Sequence, residues 1–352
     1  MSTIPSRQTL TLVFLALLLA AVFFIAIGSG PVVITPPEVL AILLDAAGFK
    51  QATPINPGHA TVLIDIRAPR VVLGIIIGAG LAVSGAAMQG LFRNPLADPG
   101  LVGISSGAAL AAVSVIVLGA TVLSGLQDAL GIYTLPFAAF IGSLLATMLV
   151  YKISQTEGRT DVSTLLLAGI AINALVGAVT GLLTYMADDA QLRTLTFWSM
   201  GSLGSANWEQ VMVAAPFILV AIIIIPWHAR ALNAILLGEA EAGHLGFNLE
   251  RIKKMLIVLV ALAVGAAVSL TGIIGFVGLI VPHLLRLMVG PDHRFLLPAS
   301  ALLGGSFLLL ADLLARTMVS PAELPIGIIT AALGGPFFLW LLLRFRQRGG
   351  LG

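Results

Sequence analysis

Long apolar runs alternate with short polar breaks along the whole chain. Ten runs are predicted as helices, at roughly 9–27, 71–91, 101–119, 134–153, 162–185, 209–227, 254–272, 275–290, 297–314 and 325–343. An apolar helix of about 20 residues crosses a bilayer core. The pattern therefore predicts an all-α polytopic membrane protein, one transmembrane domain over 1–352 with no soluble domain. The most telling break is Arg93-Asn94-Pro95-Leu96-Ala97-Asp98-Pro99. Small residues flank it, Gly85-Ala86-Ala87 before and Gly103-Ile104-Ser105-Ser106-Gly107 after. Small residues let membrane helices approach closely, so this hairpin is expected inside a packed bundle, beside a pathway. The segment 31–66 holds Pro31, Pro36, Pro37, Pro54 and Pro57 and reads as loop with one short helix near 37–47. The first run, after Arg7, competes with a signal peptide. It is longer than a typical signal core and no A-x-A site follows, so a retained helix is expected.

Composition sharpens this. Of 352 residues 59% are hydrophobic and 10% charged, where a soluble domain carries about 25% charged. The absence of cysteine excludes disulfides, Cys-based zinc sites and iron–sulfur clusters. The net charge of +2 says little, but its distribution says more. With a cytoplasmic N-terminus, ten spans put thirteen cations inside, from Arg7, Arg93 and Lys152 through Lys253 and Arg286 to Arg348. Five lie outside: Lys50, Arg67, Arg70, Arg193 and Arg316. This positive-inside split supports the count and an orientation with both termini cytoplasmic.

Candidate chemistry is sparse. No lysine follows a glycine, so the chain has no G-x-x-x-x-G-K-[ST] loop and does not hydrolyse ATP through one. Ion coupling calls for carboxylates deep in the membrane. Acidic residues here sit near helix ends, except Asp312, which has Arg316 four positions on as an ion-pair partner. Leu237 to Phe247 reads as a short amphipathic helix ended by Gly246, either a solvated loop or a docking helix for a cytoplasmic partner. His59, His228, His244, His283 and His293 show no ligand spacing, and His283 reads as a packed, hydrogen-bonded residue. There is no H-E-x-x-H, and no Ser–His or Asp–Asp arrangement for an intramembrane enzyme. Nothing implies a nucleic-acid partner or a resident metal or cofactor.

Several motifs together resemble the permease subunits of bacterial ABC importers for iron-siderophores, vitamin B12 and haem. They are Arg67-Ala68-Pro69-Arg70, Gly78-Ala79-Gly80, Gln89-Gly90-Leu91-Phe92-Arg93-Asn94-Pro95-Leu96-Ala97-Asp98-Pro99, Leu165-Leu166-Leu167-Ala168-Gly169, Gly272-Ile273-Ile274-Gly275-Phe276, Val281-Pro282-His283 and Glu323-Leu324-Pro325. Asp188-Asp189-Ala190-Gln191-Leu192-Arg193 and Phe197-Trp198-Ser199-Met200 look most like the haem importers. The resemblance implies a homodimeric inner-membrane permease of the vitamin B12 permease type, with ten transmembrane helices per subunit. It implies two cytoplasmic ATPase subunits, carrying ATP and magnesium, and a periplasmic substrate-binding protein.

The resemblance also implies roles. Arg67, Arg70 and Arg316 would offer exposed guanidiniums to acidic groups of the binding protein. Asn94 and Leu96, with Val162 and Ser163 at the start of the fifth span, would form a cytoplasmic gate, although Asp161-Val162-Ser163-Thr164 departs from the family pattern. Gly238, Glu239, Glu241, Ala242 and Gly246 would form the element that couples to the ATPase. Arg193 would stand at the substrate mouth, able to attract a haem propionate, or be a plain loop arginine. The expected substrate is haem or a similar iron chelate, with a siderophore or a corrinoid as alternatives. An ion-coupled secondary transporter is the competing class.

Overall fold

The computed structural model describes residues 7–49, 55–156 and 159–347. Lys50 and Arg348 of the charge split, and Pro54, lie outside the described residues. The α-helices are α1 (Arg7–Gly28), α2 (Pro36–Ala46), α3 (Pro57–Thr61), α4 (Ala68–Leu91), α5 (Ile104–Leu118), α6 (Ser124–Leu130), α7 (Thr134–Ile153) and α8 (Val162–Met186). They continue as α9 (Asp189–Met200), α10 (Trp208–Trp227), α11 (Ala229–Leu237), α12 (Glu239–His244), α13 (Leu249–Thr271), α14 (Val277–Val289), α15 (His293–Thr317) and α16 (Ile326–Gln347). A two-residue hairpin, β1 (Gln155–Thr156) and β2 (Arg159–Thr160), precedes α8.

Among the described residues seven helices are long and apolar enough to cross a membrane, and Ile104–Leu118, Val277–Val289 and Ile326–Leu341 are shorter apolar helices. Together they coincide with the ten runs read from the sequence. The first apolar run forms α1, which packs on α15. The short helix expected near 37–47 is α2.

Burial separates centre from periphery. The spans built on α4, α13 and α15 are 83%, 72% and 61% buried, whereas those on α1, α7, α8 and α10 fall between 17% and 28%. Small residues set the central contacts. A methyl on Gly78 would lie 2.3 Å from the Gly304 carbonyl oxygen, and one on Gly85 would lie 1.9 Å from that of Gly278. The α4 backbone therefore touches those of α15 and α14 directly. Pro282 has no N–H for the Gly278 carbonyl one turn earlier, and Gln89 Nε2 of α4 donates to that oxygen instead, at 3.2 Å.

α5 and α14, with 15 and 13 residues, are too short to cross alone at 1.5 Å per residue. Irregular backbone completes both passes: a 3₁₀ turn at Pro99–Val102 and the stretch 272–276. Such backbone is tolerated at membrane depth only when buried in protein. Phe276 adopts φ +68°, and its ring covers Gly334 of α16, which locks the stretch against that helix.

The passes alternate between two ends. One end, here the arginine end, gathers the C-terminus of α1, Arg67, Arg70, Arg316 and the start of α16. The other, the lysine end, gathers Arg7, which donates to the Met288 carbonyl, the hairpin, α12 and Lys253. Ten passes return the chain to the end at which α1 begins.

Candidate functional site

At the arginine end, α1 finishes with carbonyls that have no helical donor. Arg67 Nη1 donates to the Ile27 and Gly28 carbonyls at 3.1 and 2.8 Å, and its Nη2 donates to that of Val32. Arg316 of α15 donates to the Ser29 carbonyl at 2.7 Å and to that of Ala26. Two cations thus cap the negative end of the α1 dipole. Both are buried, 5% and 9% exposed, so the expectation of exposed guanidiniums is not met there. Arg70 is placed differently. It grips Asp312 through Nε and Nη2, the shortest contact being 2.8 Å, and its Nη1 donates to Glu323 at 3.0 Å. Asp312 also faces Arg316 Nε at 3.6 Å, as the four-residue spacing suggested, but Arg70 is its main partner.

α9 packs against α5 and α16. Asp188 and Gln191 close a capping box at its start, with bonds of 2.8 and 3.0 Å. Arg193 is exposed on α9 and lines a cavity of about 500 Å³ with Phe197, Trp198 and Thr271. Gly327 of α16 lies against the Met200 carbonyl, and Ile326 N–H donates to Gly201 at 3.0 Å, which joins the ends of α9 and α16. Met88 is fully buried in the core rather than placed on a cavity wall.

At the lysine end, α4 stops in a Schellman turn. Asn94 N–H returns to the Gln89 carbonyl at 3.1 Å and Arg93 N–H to that of Gly90 at 3.2 Å. Arg93 occupies the left-handed position, φ +49°, that glycine usually fills. Asn94 Oδ1 accepts from Leu96 N–H at 2.9 Å, so this side chain shapes its own loop. The loop then dips inward. Asp98, read from sequence as a loop carboxylate at a helix end, lines a cavity of about 240 Å³ with Leu81 and Val264 inside the bundle. Its Oδ1 caps the 3₁₀ turn through Gly100 N–H at 2.7 Å.

Loop and α8 meet through Asn173, which the motifs did not include, and through Ser106 and Gly169, which they did. Asn173 Nδ2 donates to the Gly100 carbonyl at 3.2 Å, and Ser106 donates to Asn173 Oδ1 at 2.5 Å. A methyl on Gly169 would lie 1.8 Å from the Leu101 carbonyl oxygen. Val162 and Ser163 lie at the start of α8 itself, after the N-cap Asp161. A polar residue one helical turn from a buried glycine on an apolar face was the available signal for Asn173.

The short helix expected from Leu237 to Phe247, ended by Gly246, is α12, which begins after Gly238. Gly238, φ +138°, separates α11 from α12, and Gly246, φ +86°, follows its end. Ala242 is buried against the α11 side, while Glu241 curls back over Gly238 and stays exposed. Glu239, expected to reach outward, instead pairs with Lys253 at 2.7 Å. His283 is buried and packs edge-on against Phe337 at 6.1 Å. It does not make the hydrogen bond expected from sequence: neither ring nitrogen has a partner among the described residues. No group of three or more His, Asp or Glu side chains capable of holding a metal ion occurs among the described residues.

Residues 17–344 match the FecCD transport family. The chain belongs to the FecCD transport family. It is 52% identical over 299 residues to the Hemin transport system permease protein HmuU of Yersinia pestis, covering 85% of this chain and 88% of that protein. It is 47% identical over 287 residues to the Cobalamin import system permease protein BtuC of Halobacterium salinarum, covering 81% and 74%. It is also 40% identical over 313 residues to the Vitamin B12 import system permease protein BtuC of Escherichia coli, covering 88% and 93%. The fold resembles a metal-chelate type ABC transporter solved in an inward-facing conformation, with a TM-score of 0.81, 32% identity, and coverage of 95% of this chain and 98% of that one. This FecCD chain is therefore a multi-pass membrane permease of an ABC importer, a class in which ATP hydrolysis belongs to a separate subunit. The ion-coupled and intramembrane-enzyme readings give way to it.

Proposed function

We propose that this permease moves haem, or a closely similar iron chelate, from periplasm to cytoplasm as half of a homodimer. The arginine end then faces the periplasm and the lysine end the cytoplasm, with both termini cytoplasmic, as the charge split requires in a bacterial inner membrane. The observation that carries the substrate reading is the Arg193 cavity. An exposed guanidinium beside Phe197 and Trp198 suits a flat aromatic macrocycle bearing carboxylates: rings stack on the apolar walls and a propionate meets Arg193. The likeness to the HmuU protein supports the same choice.

The second copy would cover the outward face of α8, where Leu167, Leu175 and Tyr185 are 68%, 63% and 89% exposed, together with α16. A path on the two-fold axis would pass the loop of Asn94 and Leu96 and the α8 starts at Val162 and Ser163, which gate it. The periplasmic binding protein would dock over Arg70, whose partner Glu323 is 44% exposed and can give way to a carboxylate from outside. Arg67 and Arg316 would shape the rim of that surface. Two ATPase subunits, with ATP and magnesium, would engage α12 through Gly238, Glu241, Ala242 and Gly246, with Glu239 held from behind. ATP-driven movement of α12 would switch which side the path faces.

Uptake by the complete complex in proteoliposomes tests the reading. Haem should accumulate with ATP in preference to vitamin B12 or a ferric siderophore, and Arg193→Ala should lower haem uptake about ten-fold at equal assembly. Preferred uptake of B12 or a siderophore would reassign the substrate within the family.

A further inference from the structure

Lys253 is the most deeply buried cation among the described residues, 1% exposed at the start of α13. Its ammonium reaches three separate elements. It donates to the Thr160 carbonyl of β2 at 2.8 Å, pairs with Glu239 of α12 at 2.7 Å, and lies 3.6 Å from Glu250 of its own helix. Glu250 in turn accepts the Thr160 N–H at 2.8 Å. Both backbone groups of Thr160 are therefore held by the Lys253–Glu250 pair. Thr160 is two residues before Val162, where α8 begins, and the intervening Asp161 is fixed from both sides. Its N–H donates to the Ser154 carbonyl at 3.1 Å, and its carboxylate accepts from Thr164 N–H at 2.7 Å. The chain of contacts from α12 to the first turn of α8 is continuous: Glu239, Lys253, Thr160, Asp161.

We propose that Lys253 is a positioning residue for transport, the link that makes the start of α8 follow the movement of α12. The inference rests on the reading of α12 as the ATPase contact and of the α8 start as part of the gate. Gly238, φ +138°, sets the turn between α11 and α12, and Ala242 packs α12 against Ala234 and Ile235 of α11. The other side of α12 is tied to the Lys253 node. The lysine stem is enclosed, but the carboxylates bordering it are 41% and 35% exposed. Water can attend them as the pairs shift, so the node can rearrange without leaving a dry unpaired charge. An apolar residue of similar length at position 253 would keep the packing and remove the link.

The chain contains no cysteine, so single labels are specific. In the complete complex, a spin label at Gly243→Cys reports α12 and one at Leu167→Cys, on the α8 face turned to the second copy, reports α8. Without further change, both spectra should respond to ATP. In Lys253→Met the α12 label should still respond and the α8 label should not, while substrate moved per ATP hydrolysed falls about ten-fold. Lys253→Arg should restore most of that ratio, a rescue that a packing role would not give. Glu239→Gln, which keeps the shape and weakens the pair, should give an intermediate ratio and serves if Lys253→Met assembles poorly. An α8 label that follows ATP as before in Lys253→Met, with the transport ratio unchanged, overturns the proposal alone. An α12 label silent to ATP in the unsubstituted complex overturns the coupling reading of α12, and this proposal with it.

Discussion

The two ends of the bundle solve one problem in opposite ways. Each buries cations where several elements converge. At the arginine end the acceptors of Arg67 and Arg316 are main-chain carbonyls at the end of α1 and Asp312, which is 1% exposed, so the partners of these two cations are fixed and dry, while Arg70 keeps one water-facing partner, Glu323. At the lysine end the acceptors include two carboxylates that still see water. The first arrangement is a clamp and the second is a joint. Burial of the partner, more than burial of the cation, separates rigidity from articulation.

The sharpest way to break this comparison is to remove Asp312. Asp312→Ala removes the buried carboxylate between Arg70 and Arg316, leaving Arg316 with main-chain acceptors and Arg70 with Glu323, and should cost about 3–5 kcal/mol, read as a fall in thermal stability in detergent. If the loss is no larger than that of a surface pair, the arginine end is not a clamp. Next in size, Arg67→Ala should cost about 2–3 kcal/mol, the worth of hydrogen bonds from a charged donor. Amide hydrogen exchange should then accelerate at the C-terminal turn of α1 and leave α13 unchanged. Lys253→Met should cost only about 1 kcal/mol, since the two carboxylates it leaves are already part-hydrated. A cost matching that of Asp312→Ala would erase the distinction between the ends.

The smallest effect concerns pH. The Thr164 hydroxyl and N–H both donate to Asp161 and hold its carboxyl below the ordinary range. A lowered carboxylate pKa adds stability that is present above its unfolded value, about 4, and is lost as pH falls through the folded value. Exchange at the first turn of α8 should therefore quicken on acidification below about pH 4, and Asp161→Asn should flatten that dependence.

How much of this was legible beforehand follows from which interactions are local. The ten passes and α2 are written in apolar runs and prolines, and they appear where the pattern puts them. The partners of each helix are not. Gly85 announces a close approach, but nothing in the sequence says that α14 is the neighbour. Arg67 and Arg70 share one motif yet do different work, because one reaches α1 and the other reaches α15. Lys253 looks like its neighbour Lys254 in a juxtamembrane basic cluster; only the fold brings Thr160 and Glu239 to it from 93 and 14 residues away. Asp98 stays in the loop read from the sequence, but that it lines a cavity with Leu81 and Val264 follows only from the fold.

The grip on α1 has an evolutionary corollary. Arg67 and Arg316 seize that helix by oxygens every amino acid possesses, so nothing at this contact depends on which side chains α1 carries. The outward side of the segment is free to drift, provided it stays greasy and stops at the same height. Replacing the exposed Leu10, Val13, Phe14, Leu17 and Phe24 with leucine or alanine should leave the permease in working order.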